Sequence, residues 1–175
     1  MNSVCIFCGS GSDGSFDQKA YDLGKELASR NIQLIYGGAK IGLMGKVADG
    51  AIDNDGSVIG IIPKFLKTKE VAHERLTKLI EVTTMHERKT KMNELCDGII
   101  TLPGGFGTME EFFEVITWAQ LGLHNKPIGI LNLNNFYSPM MDQFAVMQNH
   151  GLLQQDHLNS LIVEDSISTL LDKMS

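Results

Sequence analysis

The chain has 175 residues, of which 43% are hydrophobic and 21% charged, and its formal net charge is -6. That length supports one domain with a sizeable core and is short for two. The acidic balance argues against a polyanion such as nucleic acid as the main partner, and no apolar run approaches the length of a membrane span.

The opening MNSVCIFCGS runs straight into a strand-like segment without a basic leader, so a cytoplasmic location is expected. Val4–Phe7 reads as a first strand, followed by a glycine loop. Phe16 to Arg30 has helical spacing, with Tyr21, Leu23, Leu27 and Ala28 as its apolar stripe. Leu34–Tyr36 is a second strand closed by Gly37 and Gly38, and Leu43 to Asp53 a helix with small residues. Val58–Ile62 is a third strand, stopped by Pro63. A polar, Lys-rich connection leads to a strand at Leu79–Val82 and a helix from Met85 to Cys96. Gly98–Leu102 is the next strand, and the helix after its glycine loop is expected over Met109 to Leu121. A strand at Ile128–Leu131, a helix from Tyr137 to His150, a strand at Leu161–Glu164 and a helix from Ile167 to Met174 complete the chain. Strands alternating with helices predict right-handed βαβ units and a mainly parallel sheet with helices on both faces. The absence of a linker or repeat makes residues 1–175 one unit.

In such a sheet the ligand sits beyond the carboxyl ends of the strands. Three strand ends carry glycine loops: Gly9–Gly14, Gly37–Gly45 and Gly104–Gly107. The first, GSGSDG, matches the dinucleotide pattern, but that reading needs an acid near the end of the second strand. Tyr36-Gly37-Gly38 offers none, so the loop is read as part of a phosphate or sugar pocket. The second, GGAKIGLMG, is not a Walker loop, because Leu43 stands where lysine is required. It is either a closely packed strand–helix connection or a wall of the site. In the third, LPGGFGTMEE, the glycines leave backbone uncovered. Thr108 has N-cap character, and Glu111 three residues on completes capping-box spacing. Glu111 is thus a cap or a functional acid. The N-terminus of this helix carries free N–H groups and partial positive charge, a natural phosphate site.

TTMHERKTKM also has capping-box spacing, Thr84 to Glu87, which predicts a helix start near Met85. Met85, Arg88, Met92 and Leu95 share one stripe. Arg88 on that stripe either snorkels to solvent or enters the cleft as a fixed cation, with Lys89 beside it. The three cysteines are Cys5, Cys8 and Cys96. Cys5-x-x-Cys8 has redox or metal spacing, but strand alternation puts the two on opposite faces, so core thiols are expected. No H-E-x-x-H zinc pattern or other metal-ligand cluster is present in the sequence.

MHERKTKM at Met85–Met92 and LPGGFGTMEEFFEVITWAQLG at Leu102–Gly122 resemble the LONELY GUY (LOG) family, whose signature is P-G-G-x-G-T-x-x-E. Pro103, Gly104, Gly105, Gly107, Thr108 and Glu111 supply it in full. FCGS at Phe7–Ser10, YGGAKIGLMG at Tyr36–Gly45 and EVAH at Glu70–His73 extend the resemblance over nearly the whole chain. It implies a modified Rossmann fold, a homodimer, no cofactor and no metal. The implied activity is a phosphoribohydrolase, which cleaves the N-glycosidic bond of AMP or N6-modified AMP (cytokinin ribotides) to free base and ribose 5-phosphate. Arg88 and Glu111 match the family's catalytic pair. Glu70, Lys89, Gly105, Phe106, Gly107, Thr108, Met109, Glu110, Glu111 and Thr117 match its substrate-contacting positions. Relatives carry a lysine decarboxylase label, but nothing singles out Lys40, Lys46 or Lys89 as a Schiff-base lysine. A second reading is a nucleotide sensor or carrier that binds without turnover. The segment Glu111–Leu121 is apolar almost all round, which fits either a core helix or a subunit contact.

Overall fold

A computed structural model describes residues 1–67 and 71–175. One seven-stranded, wholly parallel sheet runs in the order β4-β3-β2-β1-β5-β6-β7. The strands are β1 (Ser3–Phe7), β2 (Gln33–Tyr36), β3 (Val58–Pro63), β4 (Lys78–Val82), β5 (Gly98–Thr101), β6 (Ile128–Leu131) and β7 (Leu161–Glu164). The helices are α1 (Asp17–Ser29), α2 (Gly42–Ile52), α3 (Met85–Leu95), α4 (Phe106–Gln120), α5 (Ser138–Asn149), α6 (Gln155–Asn159) and α7 (Ile167–Lys173). This is the doubly wound α/β architecture expected from the strand–helix alternation.

β1 is wholly buried, consistent with a sheet covered on both faces. Val4, Ile6 and Cys8 pack with the faces of α1, α2 and α7, while Cys5 and Phe7 pack with α3, α4 and α5. Cys5 and Cys8 thus occupy different cores, as strand alternation requires, and all three thiols are free and buried. α1 and α2 approach until their backbones touch. A Cβ on Gly24 would overlap the Val47 carbonyl, and one on Gly50 the Tyr21 carbonyl. Those two glycines are why small residues stand on the facing sides of α1 and α2.

Two elements were not expected from the sequence. A 3-10 turn covers Leu133–Asn135, with Asn134 and Asn135 at φ 51° and 60°. The five-residue α6, QDHLN, is too short and polar to give a periodic signal. Among the described residues no helix is long and apolar enough to cross a membrane.

The strand order reverses between β1 and β5, so the switch-point crevice lies beyond Phe7 and Thr101. The loops that leave these strands meet there. Leu102 N–H donates to the Phe7 carbonyl (2.9 Å), and Gly9 N–H to that of Pro103 (3.1 Å). Leu43 N–H at the start of α2 donates to the Gly9 carbonyl over 3.1 Å. The three glycine loops are therefore neighbours in space, as their positions after β1, β2 and β5 predict.

Candidate active site

α4 begins three residues earlier than the sequence predicts. Its N-cap is Gly105, extended at φ -95° and ψ -154°, and no side chain caps it. Thr108 is therefore a first-turn residue and not the N-cap, and the Thr108–Glu111 capping box is not formed. The reason is local packing. Thr108 is 4% exposed and its hydroxyl lies where a Cβ on Gly104 would stand. Glycine is itself an acceptable N-cap, so the helix starts as soon as the chain leaves the crevice. Glu111 has consequently lost the capping role open to it in the sequence. The 15-residue helix starts just beyond β5, at the switch-point crevice, and its N-cap residue supplies no side-chain oxygen to the N–H groups of the first turn. A phosphate would satisfy them.

α4 presents two faces near this end. Thr108, Phe112 and Val115 are buried, with Glu111 half-buried on the same face by helical spacing. The other face carries Glu110 and Glu114, which both reach Lys89 of α3, at 2.5 and 3.0 Å from its Nζ. Lys89 is 9% exposed, so this cation is committed to an interhelical bridge. Burial pulls its ammonium down, but the bonds to Glu110 and Glu114 more than offset this and hold its pKa above the usual lysine value.

α3 starts where the sequence predicts. The Thr84 hydroxyl accepts from Glu87 N–H (3.1 Å), and the Glu87 carboxylate accepts from Thr83 N–H (2.8 Å). One turn in, Arg88 is 5% exposed. It does not snorkel. Its Nε donates to the Ile61 carbonyl (3.1 Å) and its Nη2 to that of Gly37 (3.0 Å). These carbonyls stand toward the carboxyl ends of β3 and β2, so the guanidinium is fixed across two neighbouring strands. A Cβ on Gly37 would overlap Nη2, so the second glycine loop makes room for the arginine as well as for tight packing.

Arg88 and Glu111 act on the same stretch of β1. Burial pushes the Cys5 and Cys8 thiols up, neighbouring Cys96 adds to this at Cys5, the Glu111 carboxylate raises both further, and the Arg88 guanidinium opposes it. The two charged groups therefore approach one strand from α3 and α4. An acid on α4, a cation on α3 and the N-terminus of α4 thus make up the candidate site at this end of the sheet.

The remaining sequence-derived positions divide. Gly105, Gly107 and Met109 shape the first turn of α4, and Phe106 projects from it with 97% exposure. Thr117 is three turns further along, about 18 Å from Gly105 at 1.5 Å per residue. It is exposed, and its hydroxyl donates to the Phe113 carbonyl (2.6 Å). It does not reach this chain's own α4 N-terminus. Glu70 lies outside the described residues. Sequence reasoning missed Tyr137, whose buried hydroxyl donates to the Leu102 carbonyl (2.7 Å) and braces the strand end beneath the loop. Its only sequence signal was its place at the start of a helix.

Fold and site together define a doubly wound, Rossmann-like α/β protein with a helix N-terminus that no side chain caps at its switch point. The family model described as "Possible lysine decarboxylase" matches residues 44–174. The cytokinin riboside 5'-monophosphate phosphoribohydrolase LOG of Oryza sativa subsp. japonica is 43% identical over 173 residues, covering 98% of this chain and 72% of that protein. The enzyme of the same description from Arabidopsis thaliana, LOG3, is 42% identical over 98% of this chain and 80% of its own length. The chain belongs to the LOG family. Solved structures with the same fold include TM1055, with a TM-score of 0.75 at 17% identity over 99% of this chain and 98% of that one. The molybdenum cofactor carrier protein of Chlamydomonas reinhardtii has a TM-score of 0.71 at 18% identity, over 98% and 94%.

Proposed function

We propose that the chain is a purine nucleoside 5'-monophosphate phosphoribohydrolase acting in the cytoplasm on AMP or N6-modified AMP. Residues 1–175 form its single catalytic domain. The observation that carries this reading is the pairing of an uncapped helix N-terminus with Glu111 one turn further in, on the sheet-facing side. An anion cradle needs no acid beside it unless the ligand has a second, electrically opposite end. A nucleotide undergoing glycosidic cleavage has one.

Each step follows from the chemistry. The phosphate rests on the N–H groups of Gly105, Phe106, Gly107 and Thr108. As the C1'–N9 bond breaks, its electron pair leaves with the base, and the ribose takes on oxocarbenium character. The Glu111 carboxylate stabilises that positive charge and accepts a proton from the water that attacks C1'. The base departs after gaining a proton at nitrogen, leaving ribose 5-phosphate. Arg88, held on the Gly37 and Ile61 carbonyls, orients the phosphate or ribose. Glu110, kept in place by Lys89, is a ribose-hydroxyl ligand, and Glu70 and Met109 are further substrate contacts. No cofactor or metal is required.

The active unit is a homodimer. α4 leaves Phe113 40% and Leu121 68% exposed. Together with α5 and the β7 end of the chain it frames an apolar groove of about 700 Å³, lined by Phe113, Ile116, Thr117, Phe144 and Met147 among others. A second copy seated there gives Thr117 a route to a substrate that its own α4 N-terminus does not provide.

Purified protein is expected to release adenine from AMP, or the modified base from N6-isopentenyl-AMP, without added cofactor. Glu111→Gln is expected to lower kcat by roughly 100-fold or more while keeping its fold, the scale of a lost electrostatic or acid–base group. Intact AMP and intact modified AMP would overturn the reading. Saturable AMP binding without base release would identify a sensor or carrier instead.

A further inference from the structure

The segment after β3 contains a backbone strain that needs a cause. Val71 sits at φ 47°. A β-branched side chain in the left-handed region is strongly disfavoured and persists only where its surroundings over-determine it. Here they do. The Val71 carbonyl accepts from Lys40 N–H (2.9 Å), and His73 N–H donates to the Gly38 carbonyl (3.0 Å). Between them Ala72 pairs with Ala39 as an antiparallel bridge. Residues 71–73 are thus zipped onto the turn that follows β2.

His73 anchors that zip from its other end. Its side chain is buried, with the residue 3% exposed. Its Nδ1 accepts from Arg75 N–H (3.2 Å), which leaves the proton on Nε2, and Nε2 donates to Asp49 of α2 (3.2 Å). Arg75 bonds Asp49 as well, and reaches Asp53 at 2.8 Å. The imidazole therefore ties the strained segment to a rigid helix.

The turn so fixed is the one that holds Arg88. Gly37 supplies the carbonyl for Nη2 of Arg88, and Gly38 beside it has φ 81°. A glycine at this position lets the 37–38 peptide rotate at little steric cost, and rotation would turn the Gly37 carbonyl away from the guanidinium. The bonds from His73 to Gly38 and from Lys40 to Val71 hold the following peptides, so the rotation is opposed. We infer that His73 is a positioning residue for Arg88: anchored on Asp49, it locks the Gly37–Gly38 turn in the orientation that aims the arginine.

This role rests on the phosphoribohydrolase reading and is tested separately from it. Base release by wild type is measured first, and an inactive wild type overturns that reading itself. With an active wild type, His73→Ala, Arg88→Lys and the double variant are compared below their melting temperatures. His73→Ala is expected to lower kcat roughly 10- to 100-fold, the scale of misplacing a group by about an ångström, with KM changed by less than about threefold. In the Arg88→Lys background the same substitution is expected to add almost nothing, because the guanidinium it orients is gone. His73→Gln, whose amide can still donate to Asp49, is expected to recover most of kcat. Asp49→Ala, on a partly exposed helix face, breaks the same anchor and serves if His73→Ala does not fold. Losses that multiply across the two sites, or a fall in melting temperature with kcat intact, overturn the role of His73.

Discussion

The Gly9 N–H donates to the Pro103 carbonyl over 3.1 Å, so the loops that leave β1 and β5 are stitched together at the point where the strand order reverses. The stitch leaves no space for a side chain at Gly104. A Cβ on Gly104 would overlap the Thr108 side chain and lie 2.9 Å from Gly9 N. Gly104→Ala is therefore expected to push Thr108 and the first turn of α4 away from β1. Overpacking of this kind costs about 1–3 kcal/mol, readable in a urea titration. Base release should fall by more than tenfold, because the displaced turn is the proposed phosphate cradle. Unchanged kcat/KM would show that the cradle lies elsewhere.

Lys89 holds Glu110 and Glu114 together across α3 and α4. Lys89→Met keeps the packing of the stem but leaves two carboxylates facing each other without a counter-charge. A loss of about 1–2 kcal/mol is expected, since Glu110 is largely exposed and the pair is partly screened. The pKa of Lys89 is raised in the folded state. Its contribution is therefore fully present below the ordinary lysine value of roughly 10.4 and is lost as pH rises through the higher folded value. The stability gap between wild type and variant should be flat from neutral pH to about pH 9 and close only above that range.

Asp97 works with the opposite sign. Its carboxylate accepts from Asn2 N–H (2.8 Å) and Ser3 N–H (3.0 Å), joining the entry of β1 to that of β5. These bonds, the one from Asn2 foremost, hold its pKa below the usual aspartate value. A lowered folded pKa stabilises above the unfolded value, roughly 3.9, and the gain disappears as pH falls through the folded one. Asp97→Ala should cost about 1 kcal/mol at neutral pH, allowing for its exposure. The difference should vanish in acid. Chemical denaturation over a pH series from about 7 down through the folded value checks both limbs.

Phe113 lies on the exposed side of α4, edge-to-face with Phe144 of α5 at 6.1 Å between ring centres. Phe113→Glu places a charge in the apolar groove that the proposed second copy occupies. The variant is expected to elute as a monomer while wild type elutes as a dimer, and to lose most of its activity if Thr117 acts across the interface. A monomeric, fully active wild type would remove both the dimer and the shared site.

Much of this was legible in the sequence because it depends on neighbours along the chain. Continuous apolar runs bounded by glycine or proline give β1, β2, β3, β5 and β6, and the Thr84–Glu87 spacing gives the start of α3. The glycine loops after β1, β2 and β5 point to one crevice, since parallel strands end on the same side. The start of α4 was misplaced because the preference for threonine as N-cap competed with packing: Thr108 is buried against Gly104, which itself lies close to Gly9 of the β1 loop. The roles of single side chains were illegible for the same reason. Nothing near Arg88 in sequence foretells the Gly37 and Ile61 carbonyls 51 and 27 residues away, nor does the sequence beside Lys89 announce Glu110 and Glu114. Composition and periodicity thus determined the layers, the strand ends and the residue types at the site. Tertiary packing alone decided that Arg88 is braced on the Gly37 and Ile61 carbonyls and that Lys89 bridges to Glu110 and Glu114, because those choices are made by atoms that meet only once the sheet has formed.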